Sequence, residues 1–115
     1  MSLINRHILF SAFFLLAPCV FAQDADEIIV KSTNAVMFQI TANMKLTQDQ
    51  ISAIRPVVTN NIVKVRDLQL SLQKGDIDSK AMYDQRAQLN QEENQELSHI
   101  FTPDQMKLWT NMQDQ

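Results

Sequence analysis

The 115-residue sequence contains one glycine, three prolines and one cysteine, and aromatic side chains make up only 7% of it. Each scarcity excludes something. Phosphate-cradling loops, nucleophile elbows and runs of tight primed hairpin turns all need glycine where φ is positive, so a single glycine rules them out. With few aromatics, the core has to be built from Ile, Val, Leu and Met. Neither sign of charge dominates, since 10 Lys and Arg stand against 13 Asp and Glu for a net charge of -3. What remains is helices joined by few turns, in a chain long enough for one domain.

The composition is unevenly spread. Residues 1–22 read MSLINRHILFSAFFLLAPCVFA. Arg6 and the terminal amine make a cationic start, an apolar stretch runs from Ile8 through Leu16, and Val20-Phe21-Ala22 closes it as a secretory cleavage site. The stretch is too short for a stable membrane span, and it has no polar face to turn to water as a buried N-terminal helix would. A competing export reading takes Leu16-Ala17-Pro18-Cys19 as a lipoprotein box, with Pro18 where a small residue belongs before the lipidated Cys19. We expect a signal peptide cut after Ala22, hence a periplasmic protein with residues 23–115 as its domain. Removing 22 of 115 residues leaves 93, and Arg6 is the only charge lost, so the net charge moves from -3 to -4. Cys19 goes as well, so disulfide and thiol chemistry are excluded from the exported form. One histidine and no cysteine cannot assemble a nucleophile–base pair, so neither an enzyme nor a cofactor is expected. The acidic balance and export disfavour nucleic acid.

In the exported part, Ile29, Val36, Ile40 and Met44 recur at helical spacing, with Val30, Met37 and Phe38 widening the stripe. This predicts a first helix over about 24–45, weakened in its middle by Ser32-Thr33-Asn34. Leu46-Thr47-Gln48-Asp49-Gln50-Ile51 then combines a Thr N-cap, a Gln three residues on, and apolar residues at both staple positions. A second helix follows over about 48–74, roughly 40 Å long at 1.5 Å per residue. Pro56 predicts a bend inside it, and Lys74-Gly75 ends it. Asp78 is the expected N-cap of a third helix over about 79–100, with Met82, Leu89, Leu97 and Ile100 on one side and Gln85, Gln88, Gln91, Glu92 and Gln95 on a solvated face. Phe101-Thr102-Pro103-Asp104-Gln105-Met106 repeats the capping signature with Pro at the first helical position. A short last helix carrying Met106, Trp109 and Met112 follows.

Leu46-Thr47-x-x-Gln50 and its variant Phe101-Thr102-Pro103-x-Gln105, bracketing a long helical hairpin behind a signal peptide, resemble the Spy/CpxP family of small periplasmic proteins, named for its Leu-Thr-x-x-Gln motif. The resemblance covers about 42–112. It implies an all-α fold, a helical hairpin with flanking N- and C-terminal helices, paired with a second copy in an antiparallel curved dimer. It also implies envelope-stress work: ATP-independent holding of unfolded or misfolded envelope proteins, or restraint of a sensor protein, with metal-responsive relatives. The motif residues Leu46, Thr47, Gln50, Phe101, Thr102, Pro103 and Gln105 carry over in a structural role only. Chaperone members present a basic concave surface, whereas this chain is acidic overall. Its charge is uneven: seven cations face five acids over 45–86, but Lys107 alone faces five acids over 87–115.

The candidate binding surface is an apolar strip of Ile54, Val58, Ile62 and Val65, with Leu72 further on, rimmed by Arg55, Lys64 and Arg66. Charges of this kind steer encounter and an apolar strip holds. The same spacing serves equally for packing between the protein's own helices. The methionines offer adaptable contacts or core filler. For metal, His99 near Glu92, Glu96 and Asp104 is the one candidate, although a closed transition-metal site takes more than one His or Cys.

Overall fold

The helical spacing becomes four helices in the computed structural model, which describes residues 25–114. Among these residues there is no strand. The signal-peptide reading of 1–22, with Cys19 and the cut after Ala22, lies outside them. Helix α1 covers residues 25–44, α2 is Gln48–Gln73, α3 is Ser79–Ser98 and α4 is Pro103–Gln113. No described helix is long and apolar enough to cross a membrane.

The ends of these helices follow from local chemistry. Asp78 caps α3 by accepting from the Ala81 amide at 2.8 Å. At the end of α2, Gly75 takes φ +78°, its amide donates to the Leu72 carbonyl, and the Asp76 amide donates back to Ser71. That pair of bonds is a Schellman closure, which occupies carbonyls the helix leaves orphaned. A Cβ added at Gly75 would meet nothing within 4 Å, so a side chain there costs backbone strain alone. Gly75→Ala should therefore lower stability by about 1 kcal/mol in a urea titration, with no change in helix content. The link between α1 and α2 is tighter, and Lys45 enters the left-handed region at φ 50° to make it. Helix α2 is continuous through Pro56, whose ring lies exposed, so water can serve the carbonyl one turn back. Helix α3 ends two residues before the expected 100. His99 caps it, and Ile100 and Phe101 fold back through amide bonds to the Leu97 carbonyl.

Helix α1 lies antiparallel on α2. Asn34 accepts from Arg55 at 2.9 Å, the Thr33 and Thr59 hydroxyls meet at 3.3 Å, and the Ala25 carbonyl accepts from Arg66 at 2.9 Å. Helix α1 runs unbroken through Ser32-Thr33-Asn34, where Thr33 and Asn34 make polar contacts with α2. The inward stripe is Thr33, Met37, Ile40 and Met44. Val30 and Phe38, expected to widen that stripe, point outward instead, and Phe38 is 75% exposed.

One hydrophobic cluster holds the molecule, and it lies at one pole. Met37, Ile40 and Met44 of α1 meet Ile54 and Val58 of α2, Leu97 of α3, Phe101 and Trp109 of α4. Each such side chain contributes about 1.5–3 kcal/mol on burial. The Phe101 and Trp109 rings tilt against each other at 6.4 Å between centroids, and the Trp109 indole N–H donates to Asn94 Oδ1 at 2.7 Å. Away from this pole, α2 and α3 continue as an antiparallel pair. Along that arm Ile62, Val65, Leu68, Leu72, Met82 and Leu89 are all half-buried.

Candidate functional site

Both capping boxes form as the sequence predicts, with nearly the same geometry. Thr47 sits at φ -74°, ψ 162°, and Thr102 at φ -69°, ψ 163°. The Thr47 hydroxyl accepts from the Gln50 amide at 3.1 Å while Gln50 Oε1 accepts from the Thr47 amide at 3.0 Å. The corresponding bonds at Thr102 and Gln105 are 3.2 and 2.9 Å.

The two boxes also face each other. Gln50 Nε2 donates to Gln105 Oε1 at 2.8 Å, and Gln105 Nε2 donates back to Gln50 Oε1 at 3.3 Å, across 55 residues of chain. The second amide proton of Gln50 goes to the Ile100 carbonyl at 3.1 Å, and that of Gln105 to the Met44 carbonyl at 3.3 Å. Each glutamine thus uses both donors and accepts twice on its oxygen, the full capacity of the group. The N-termini of α2 and α4 and the chain leaving α1 and α3 join in one clasp. The start of α2 and the end of α3 therefore meet at one pole.

The expected binding strip divides at Ile62. Ile54 and Val58, at 0% and 2% exposure, are core residues covered by α1, and neither offers a surface. Ile62 and Val65 are half-buried and remain at the edge of the arm. Arg55 and Arg66 do not rim a strip, since both guanidinium groups donate to α1, at Asn34 and Ala25. Lys64 is exposed and lines the cleft between α2 and α3. His99 is exposed at the α3 cap, and among the described residues no three His, Cys, Asp or Glu side chains gather as a metal would need.

That cleft contains a residue the sequence reading passed over. Glu93 is 8% exposed. It faces Val57, Asn60, Asn61 and Lys64 of α2, flanked by Leu89, Glu92 and Glu96 of its own helix, around a free volume of about 10 Å³. Burial pushes its carboxyl up to about 7, with the neighbouring Glu96 charge adding to the rise. One signal was present in the sequence. Glu93 lies four residues from both Leu89 and Leu97, on the apolar side of α3 rather than on the Gln face.

Comparison with protein-family models, with curated proteins and with solved structures finds no match for this chain. The reading of its function therefore rests on the geometry of the arm and the clasp. A shallow groove of about 290 Å³ continues the cleft toward the tip, between Lys64, Asp67 and Leu68 of α2 and Gln85, Gln88 and Leu89 of α3. Leu70 and Tyr83 stand out on the same arm, Tyr83 being 76% exposed. The groove, which neither of these two lines, is mixed in charge, open and apolar at its floor. It suits holding an extended chain segment better than enclosing a small molecule.

Proposed function

We propose that this chain is an exported, ATP-independent chaperone-like protein of the Spy/CpxP type that holds unfolded or misfolded envelope proteins during stress. In this reading α2 and α3 form the helical hairpin, and α1 and α4 close its base. A second copy completes an antiparallel curved dimer. The observation that carries the reading is the arm. Beyond Arg66, where α1 ends its contact with α2, the apolar side chains Leu68, Leu72 and Met82 lie half-buried on two helices alone and belong to no part of the buried core. A monomer that leaves such a seam open has apolar surface to offer a partner. The cations Lys64, Lys74, Lys80 and Arg86 of the arm are offset by Asp67, Asp76, Asp78 and Asp84, so the apolar seam rather than charge would do the holding.

Purified protein at a one-to-one ratio should suppress the light scattering of a chemically denatured client. Leu70→Ser combined with Tyr83→Ser should lose most of that suppression while leaving the melting temperature within a few degrees, since both side chains are outside the core. No suppression by the unaltered protein removes the chaperone reading. Full suppression by the double variant moves the surface elsewhere.

A further inference from the structure

Glu93 occupies a position in the α2–α3 seam that an apolar residue would fill if packing alone decided. Leu89 lies one turn before it and Leu97 one turn after, and Leu97 is fully buried. The charged residues lining the cleft with it are Lys64 from α2 and Glu92 and Glu96 from α3, of which Glu96 acts on its carboxyl, and α1 and α4 contribute nothing to the lining. Asn60 and Asn61 supply the uncharged polar wall. The carboxyl is not sealed in, since no buried side-chain oxygen or nitrogen among the described residues lacks a partner. The remaining free volume, about 10 Å³, is on the order of the room one water needs.

Location gives this residue its leverage. On the clasp side of Glu93 lie Leu97, Phe101 and Trp109 with the rest of the core. On the tip side, from Ile62 to Leu89, no described hydrophobic residue is fully buried. Helix α1 still holds α2 as far as Arg66, through the Ala25 carbonyl, so a change at Glu93 is resisted toward the base and can spread only past that point toward the tip.

We propose that Glu93 is a proton-operated latch for the α2–α3 arm: protonated, it lets the seam close, and ionised, it loosens the arm from about residue 67 to residue 92 while the base, with α1 on α2, stays folded. The protonated carboxyl is neutral and can lie between the helices like an amide. The ionised form places a charge in the seam beside the Glu96 carboxylate. The least costly relief is for the arm to part and admit water. The sign follows from linkage. A carboxyl held above its ordinary 4.5, at about 7, contributes stability that is complete below pH 4.5 and lost as pH rises through 7. The latch is independent of what the arm binds. It predicts that more arm surface opens at neutral and alkaline pH than in acid.

Hydrogen exchange read by mass spectrometry, on the purified protein at pH 5.5 and 8.5 and corrected for intrinsic rates, tests this. Arm amides should exchange about tenfold or more faster at pH 8.5, and amides at the base should not change. Glu93→Gln should stay protected in the arm at both values. Glu96→Gln should move the midpoint of the latch to lower pH, a shift that a merely structural role would not produce. A carbon-13 titration of the Glu93 carboxyl in the unaltered protein gives an answer even if Glu93→Gln does not fold. A midpoint near 4.5 overturns the latch. Arm exchange that is flat with pH, or that keeps its pH dependence in folded Glu93→Gln, overturns it too.

Discussion

Trp109→Ala should lower the unfolding free energy by about 3–5 kcal/mol, the usual cost of truncating a buried tryptophan to alanine. No other single change is expected to cost more. Trp109 belongs to α4, which is only 11 residues long and has little helical stability of its own. The indole anchors that helix to the cluster of Leu97, Phe101, Ile54 and Val58. A domain of this size has about 5–15 kcal/mol in total, so the loss is a large share of it. The thermal midpoint, followed by far-ultraviolet circular dichroism, should fall by about 15–30 °C. Trp109→Phe separates the two contributions. It keeps a ring near Phe101 but removes the donor to Asn94 Oδ1, and should cost about 1–2 kcal/mol. A drop below about 1 kcal/mol for the alanine variant would mean that the core does not close at this pole.

Gln50→Ala and Gln105→Ala should each cost about 2 kcal/mol, and together clearly less than the sum. Either replacement removes one box's bond to its own cap amide, breaks both bonds between the two amides, and frees a carbonyl at Ile100 or Met44. Once one amide is gone, the other has lost its partner, so the second replacement removes fewer bonds. A coupling energy of about 1 kcal/mol or more in a double-mutant cycle is the expected result. Fluorescence of Trp109, the only tryptophan in the chain, reports the unfolding. Strict additivity would mean that the boxes act only as two separate caps. Thr47→Ala and Thr102→Ala, which affect one cap each, make suitable controls at about 1 kcal/mol.

The helix ends were legible because three or four neighbouring residues decide them. Thr47 with Gln50, Asp78, Gly75 and Thr102 with Gln105 all do what their local chemistry requires. Which faces turn inward was less legible. Met37 and Phe38 are adjacent and both apolar, and only the angle at which α1 crosses α2 sends one into the core and the other into water. Periodicity placed Ile54, Val58, Ile62 and Val65 on one side of α2 but carried no information on where α1 covers that side. The pairing of Gln50 with Gln105 needed knowledge that two chain segments 55 residues apart meet. Glu93 was missed for the opposite reason. A carboxylate among glutamines and glutamates reads as solvated, and its position between two leucines registers only when helical phase outweighs residue type.

The placement of the core at one end has a consequence for how such a chain can change over time. Clasp, tryptophan anchor and buried cluster all lie at the base, and the tip is closed by one local turn around Gly75. Reach and stability are therefore set by different residues. Two turns added to α2 and two to α3 would lengthen the arm by about 10 Å at 1.5 Å per residue, and every contact of the base would remain as it is. The arm is a length that selection can adjust without renegotiating the fold.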